Sequence, residues 1–428
     1  MTETPVNNNK SGIKSLWAKI ATFFAVLGPG IITLSAGNDA GGVTTYSVCG
    51  AHFGYSMLWI AIPLTLGLIV IQEMSNRMGV VTGKGLSGLI REKFGVRITF
   101  NIMLGVFLGN LCNAATEFAG IAASLELVGI SKYISVPVFA SLVWILVLKG
   151  NYKTVEKVFL FGCLCFLAYI FTGFLAKPDW KQVATSLVIP QIKLESGYLI
   201  MLIGVLGTTI APWMQFYHQA SAAEKGTRPE LLNYSRLDAV LGSLAANLVA
   251  FFIVITCAAA LHNSGQRIDV ARDAALALKP LAGDYCFYLF AFGLLMASLL
   301  AASVLPLSAA FTVCEGFGWE SGVGKRAEEA PEFYIVYSIL ILFGMGVVLI
   351  PNISLIKLMI FSQVVNGLIL PFITVFTILL SSDKKIMKQY ANTKIFSIFA
   401  WLFGIAISLL SITWLVVLFT EILNKRNL

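Results

Sequence analysis

One carboxylate sits where the surrounding residues offer it no water. Asp39 stands about halfway along an apolar run from 20 to 52, inside the segment SAGNDAGG (35–42). An ionised side chain at that depth is expensive and marks a pathway or a binding site. Glycines and an Asn-Asp pair disfavour continuous helix there, so carbonyls of Gly37, Asn38 and Asp39 become available as oxygen ligands. Ala40, Gly41 and Gly42 then let the helix restart with little bulk. A second interruption, GTTIAPW (207–213), falls in another apolar run, 196–223. Pro212 cannot donate a backbone hydrogen bond, which frees carbonyls in the preceding turn near Thr208 and Thr209. A carboxylate facing two sets of freed carbonyls is a site for a cation that prefers hard oxygen ligands. Asp39 can also cap the second half of its own helix, and the two roles are compatible.

The elements that must position these groups are membrane helices. The chain has 428 residues, of which 57% are hydrophobic and only 12% charged, with a mean hydropathy of +0.83. A soluble fold could not cover that much apolar surface, and the same figures exclude disorder and a disulfide scaffold. Apolar runs long enough to span predict eleven helices, near 20–52, 55–78, 97–128, 133–149, 154–176, 196–223, 233–261, 284–317, 333–350, 354–381 and 394–421. Residues 86–95 are too short and too charged to span and read as an interfacial helix. Eleven crossings place 20 of the 30 Lys and Arg residues on one side. That bias predicts a multi-pass cell-membrane protein with its N-terminus in the cytoplasm and its C-terminus outside.

The two interruptions occupy equivalent places, in the first and the sixth span. Paired broken helices at matching positions of two halves point to an inverted-repeat transporter with its site near the midplane. The expected organisation is a cytoplasmic tail (1–19) and a ten-helix core (20–381) with repeats of about 20–176 and 196–381. A loop, an eleventh helix and a short tail follow (382–428). The N-terminal segment lacks a small-residue cleavage site and reads as a tail, not a signal peptide. Seven cysteines, an odd number without a CxxC pair, read as small hydrophobes within helices. The net charge of +8 is scattered through loops and speaks for orientation rather than for a nucleic-acid partner.

Several motifs in order resemble the natural resistance-associated macrophage protein (Nramp) family of divalent-metal transporters. They are GPGIITLSAGNDAGG (28–42), QEMSNRMGVVTGKGL (72–86), GTTIAPWMQFYH (207–218), EGF (315–317) and QVVNGLILPF (363–372). The resemblance runs from residue 28 to about 381. It implies an all-α integral membrane protein of LeuT-like fold, with a metal ion held between broken helices 1 and 6. Its departures carry information. The family usually has Asp-Pro-Gly-Asn in the first span, whereas this chain reads Asp39-Ala40-Gly41-Gly42. The family's Met-Pro-His in the sixth span is Ala211-Pro212-Trp213 here. The soft thioether that favours Mn, Fe or Cd is thus absent from position 211, and bulk beside the ion is reduced. A larger, all-oxygen pocket suits Mg²⁺, which gives up its water reluctantly. The pattern resembles the Nramp-related magnesium transporters, which carry Mg²⁺ as well as Mn²⁺.

The same comparison bears on coupling. Proton-coupled members have the sixth-span histidine and an acidic pair within Thr-Asp-x-x-Glu on the third span. Here the histidine position is Trp213, and the third span reads Thr116-Glu117-Phe118-Ala119-Gly120. Uncoupled transport is therefore expected. The expected metal set is Asp39, Gly42, Thr208, Ala211 and Gln363, with Asn38, Thr209, Trp213, His218, Asn366 and Glu117 lining the path or gating it. Glu73 and Arg77 read as a structural ion pair four residues apart on one helix. No catalytic residue and no cofactor are expected; the partners are the transported Mg²⁺ or Mn²⁺ and the lipid bilayer, and the transport unit is a monomer. A proton-coupled Mn²⁺/Fe²⁺ carrier is the alternative. A LeuT-fold amino-acid symporter fits less well, because Asp39 would repel a substrate carboxylate. A membrane hydrolase is disfavoured by the absence of HExxH and GxSxG and by only three histidines.

Overall fold

The computed structural model describes residues 36–148, 161 and 163–426, and every regular element among them is helical. The expected tail 1–19, the first half of the first span (20–35) and the start of the fifth (154–160) lie outside the described residues. The helices of nine or more residues are α1 (Ala40–Phe53), α2 (Ala61–Thr82), α3 (Leu86–Phe94), α4 (Val96–Glu126) and α5 (Lys132–Leu148). They continue with α6 (Leu167–Leu175), α7 (Trp180–Val188), α8 (Ser196–Thr209), α9 (Pro212–Glu224) and α10 (Leu232–Ala260). The last are α11 (Cys286–Phe317), α12 (Pro331–Val348), α13 (Leu355–Ser381) and α14 (Lys394–Arg426).

Eight helical segments among the described residues are long and apolar enough to cross a membrane, running from Leu58–Thr82 to Lys394–Thr420. The shorter helices α1, α5 and α6 stand at the other three expected positions. The short helix expected at 86–95 is α3, whose Leu86, Leu89 and Ile90 are buried while Arg91, Glu92 and Lys93 lie on its outer side. Among the helices of nine or more residues, α7 was not read from the sequence; capping explains it, since Asp179 accepts hydrogen bonds from the backbone N–H groups of Lys181 and Gln182. Outward-facing residues are apolar along whole helices; on α14 they include Ile398, Phe399, Leu402, Ile405 and Leu409. Water would not tolerate that surface, and hydrocarbon does.

With lipid outside, helices gain little from hydrophobic contact with each other and associate through small residues that let backbones approach. α8 and α13 meet in this way. A side chain on Gly207 would run into the backbone of Gln363 and Gly367, and one on Gly367 would run into the Ile203 carbonyl. α4 packs along α11 and against α1, with Gly120 close against Ala40 and Ser298. These contacts bring the first residues of α1, the last of α8, and the middles of α4 and α13 to one place.

The end of α2 is fastened by charge. Arg77 pairs with Glu73 (Nε–Oε1 2.9 Å, Nη2–Oε2 3.0 Å), and Arg236 of α10 donates to the same Oε1 at 2.7 Å. Arg77 also donates to the Tyr390 carbonyl and to Asn392 Oδ1, and its guanidinium lies 5.5 Å over the Phe396 ring. One arginine therefore joins α2 to the start of α14. The Arg77 side chain is 4% exposed, that of Arg236 39%. Glu73→Ala leaves a buried guanidinium with neutral partners alone, Tyr390 and Asn392, and is expected to cost about 3 kcal/mol. Arg236→Ala removes a half-exposed partner and is expected to cost under about 1 kcal/mol. Melting temperatures of the detergent-solubilised variants check this, and equal losses would show that Arg77 does not depend on Glu73.

Candidate metal site

The chain leaves helix at both expected places. Residues Ala36–Asn38 form a single tight helical turn, Asp39 is extended (φ −70°, ψ −175°), and α1 begins at Ala40. The Asp39 carboxylate Oδ1 accepts the Gly42 N–H at 2.7 Å, so the residue does cap its helix. Across the site α8 ends at Thr209, Ile210 (φ −127°, ψ 62°) and Ala211 (φ −66°, ψ 139°) depart from helix, and Pro212 opens α9. A continuous helix would have brought a donor from position 212 to the Thr208 carbonyl; proline has none.

Three oxygens converge beside Gly42. A Cβ at that residue would stand 2.8 Å from the Gly37 carbonyl oxygen, 3.0 Å from Thr208 Oγ1 and 3.4 Å from Asp39 Oδ1. Thr208 Oγ1 is buried with no hydrogen-bond partner among the described residues, a cost that a ligand to this oxygen would remove. The oxygens come from both broken helices, and they stand so close about Gly42 that a side chain there would have to push them apart.

A second carboxyl group adjoins the first. Glu117, on α4, accepts the Ala40 N–H through Oε2 at 3.4 Å, while its Oε1 has no donor. Its carboxyl group lies within reach of that of Asp39, and the two residues are 0% and 3% exposed. Among the described residues neither forms an ion pair with a Lys, Arg or His. Two neighbouring carboxyl groups without a base beside them are the groups in this place that a cation would neutralise.

The other expected residues are distributed around this centre. Gln363, on α13, presses its carboxamide against Gly41, while its Oε1 accepts from Asn366 Nδ2 at 3.2 Å and its Nε2 donates to Ser362 Oγ at 3.1 Å. Ala211 is buried and its carbonyl accepts the Met214 N–H at 3.1 Å. Asn38 is turned away, donating through Nδ2 to the Ala246 carbonyl of α10 at 3.3 Å. Thr209 Oγ1 bonds the Tyr46 hydroxyl at 2.8 Å and donates to the Val205 carbonyl at 2.7 Å, so its hydroxyl is engaged. Trp213 is buried, and its carbonyl accepts from Ser308 Oγ at 3.0 Å. His218, seven residues beyond Ala211 and so roughly 10 Å along α9, bonds Gln72 Oε1 through Nδ1 at 2.7 Å. It is a neighbour of α2, not of the carboxyl pair.

Three residues escaped the sequence reading. Asn113 and Ser362 complete an amide cluster with Asn366 and Gln363, and Met214 packs its terminal methyl on Gly37, with its sulfur 3.8 Å from where a Cβ on that glycine would stand. Asn113 did carry a signal: it lies four residues before Glu117 on an apolar helix, hence on the same face.

Comparison with known proteins agrees with this picture. Residues 30–417 match the family described as natural resistance-associated macrophage protein-like. The chain is 30% identical over 425 residues to the divalent metal cation transporter MntH of Ralstonia nicotianae, spanning 94% of this chain and 92% of that one. It is 29% identical over 412 residues to divalent metal cation transporter MntH 1 of Pseudomonas aeruginosa, spanning 90% of each. Among solved structures, the manganese transporter of Eremococcus coleocola, in complex with an aromatic bis-isothiourea substituted compound, superposes with a TM-score of 0.74 at 23% identity. That match covers 96% of this chain and 88% of the other. MhsT, in complex with L-phenylalanine, superposes with a TM-score of 0.56 at 14% identity over 91% of this chain and 97% of its own, a likeness of fold alone. The fold is accordingly LeuT-like, as expected.

The position read as a missing acid, Gly120, is filled from outside. A Cβ there would collide with Ala40 Cβ and Ser298 Oγ. Gly120→Ala is therefore expected to lower stability by about 1–3 kcal/mol through overpacking, and Gly120→Glu by more. Melting curves of the two variants decide it; an unchanged curve for Gly120→Glu would mean that the wall formed by Ala40 and Ser298 yields readily.

Proposed function

The chain belongs to the Nramp family of membrane transporters, and we propose that it carries Mg²⁺, and Mn²⁺ as well, across a cell membrane without moving a proton. The observation that supports this most directly is the oxygen-lined space beside Gly42, formed by Gly37, Asp39 and Thr208 with no thioether at position 211. Hard oxygens suit a small dication that keeps part of its water. Asp39 supplies the charge, the freed carbonyls of both breaks supply further ligands, and alternating access opens this midplane site to one side and then the other. The transport unit is a monomer. Residues 20–381 form its two-repeat core (20–176 and 196–381), preceded by a cytoplasmic tail (1–19) and followed by a loop, an eleventh span and a short outer tail (382–428). The Lys/Arg asymmetry supports that orientation.

Transport without a proton still has a driving force. A dication moving down the membrane potential gains about 4.6 kcal/mol per 100 mV, roughly three decades of concentration. A second reading is a proton-coupled Mn²⁺/Fe²⁺ carrier, and one observation favours it: a second buried carboxyl group, Glu117, stands beside the Asp39 turn and accepts the Ala40 N–H at 3.4 Å.

Asp39→Asn keeps the shape of the side chain and removes its charge, and is expected to abolish metal uptake into proteoliposomes while leaving the melting temperature near that of the parent. Uptake at parental rates would overturn the site. A pH-sensitive dye trapped in the same vesicles is expected to report no acidification during Mg²⁺ or Mn²⁺ entry. Metal-dependent acidification that disappears in Asp39→Asn would establish the second reading instead. Ala211→Met adds a soft ligand and fills space, so uptake should shift from Mg²⁺ toward Mn²⁺ and Cd²⁺, with Gly42→Asn acting in the same direction. Unchanged competition among these ions would show that positions 42 and 211 do not face the ion.

A further inference from the structure

We infer that Asn113 is the positioning residue for Gln363, keeping the carbonyl oxygen of that side chain available to the transported cation. The inference rests on the reading of the two helix breaks as a cation site. Gln363 touches the first turn of α1 directly: its Nε2 is the atom nearest a Cβ built on Gly41, and its Cδ lies 2.8 Å from that Cβ. Its carboxamide is thus the polar group of α13 nearest the turn that Asp39 caps. In the structure its oxygen is engaged, accepting from Asn366 Nδ2 at 3.2 Å. The nitrogen faces Gly41 and the oxygen faces Asn366, so a cation beside α1 meets that oxygen only when the carboxamide turns.

Asn113 sets the terms of that release. Asn366 Nδ2 also donates to Asn113 Oδ1, at 2.8 Å, and Asn113 Nδ2 donates back to Asn366 Oδ1 at 3.1 Å. Ser362 Oγ, which receives the Gln363 Nε2 hydrogen, itself donates to Asn113 Oδ1 at 2.9 Å. Both residues that hold Gln363 are therefore held by Asn113, and all four side chains are no more than 2% exposed. Of the two bonds from Asn366 Nδ2, the one to Asn113 is shorter and better satisfied. When Gln363 turns its oxygen toward an ion, Asn366 keeps a full partner and loses only the longer bond. Without Asn113 the same turn leaves both N–H groups of the buried Asn366 amide unpaired instead of one, so the ion-bound state carries a fully unsatisfied donor. Asn113 lies one turn before Glu117, so the amide cluster and the second carboxyl group hang from the same stretch of α4.

The test is metal uptake into proteoliposomes with Mg²⁺ and Mn²⁺, read as KM and maximal rate, for Asn113→Leu, Gln363→Ala and the double variant. Asn113→Leu is expected to raise KM about ten-fold with the maximal rate within about two-fold of the parent. Gln363→Ala should raise KM comparably, and the double variant should not exceed Gln363→Ala, because Asn113 acts through that side chain. Asn113→Asp keeps the acceptor used by Asn366 and Ser362 and is expected to hold KM within about three-fold of the parent. Multiplying effects in the double variant, or a loss confined to maximal rate and melting temperature, would overturn the inference and leave Asn113 as packing. If Asn113→Leu does not fold, Asn113→Ala takes its place in the same cycle. Should Gln363→Ala leave KM unchanged while Asp39→Asn abolishes uptake, the inference falls and the site stands. Normal uptake by Asp39→Asn would remove the site itself.

Discussion

A pair of carboxyl groups with no basic partner, sealed among membrane helices, is the constraint around which the rest of the protein is arranged. Asp39 and Glu117 could be neutralised by a single lysine or arginine, and the fold supplies none among its described residues. A permanent base would make the protein more comfortable and the site useless, since a neutral pocket has no attraction for a dication. What the fold supplies in its place is partial charge. The Ala40 and Gly42 N–H groups, at the positive end of α1, face the two carboxyl groups. They offset part of the repulsion and leave the remainder for the cargo. Breaking the helix at Asp39 is what exposes those N–H groups, so the break and the carboxyl pair require each other.

The second requirement is space, and it is met by what is absent from side chains. Gly42 lets three oxygens draw together from the two breaks, while Gly41 lets Gln363 approach. Gly120 shows the opposite use of the same residue type. Seen along the chain it is an acid that has gone missing; seen in the fold it is a place where Ala40 and Ser298 have closed in. The loss of an acid on one helix and the filling of its place by two others form one structural unit, which is why restoring the acid alone does not restore its surroundings.

This bears on what could be read without a structure. The breaks at 35–42 and 207–213 were legible because they are local: glycine, proline and a carboxylate in an apolar run change backbone chemistry within a few residues. The Glu73–Arg77 pair was legible for the same reason, being one turn of helix. Arg236 as a third member was not, because it comes from a helix with no sequence relation to the first two. The amide cluster of Asn113, Ser362, Gln363 and Asn366 was only half visible. Gln363 and Asn366 share a face of α13, but Asn113 is 253 positions away from its principal partner. Pairwise hydrogen bonding across helices leaves no periodicity to detect. Trp213 and His218 stood out by comparison with a family pattern, yet the structure puts His218 with Gln72 on α2, a turn-counting matter that a motif alone does not express.

The glycine contact between α8 and α13 has a consequence for how such a protein can change over evolutionary time. Where Gly207 and Gly367 bring two backbones together, there are no interdigitating side chains to be traded one for another, so the contact offers no series of small viable steps. The positions proposed to decide what fits beside the ion do not belong to this rigid seam: Ala211 follows Gly207 by four residues, and Gly42 stands beside Thr208. Mutational drift is thereby channelled. The scaffold that relates the two broken helices stays frozen, while the cargo preference beside it is free to wander by single substitutions, and a lineage can acquire a new ion without first having to reinvent the machine that moves it.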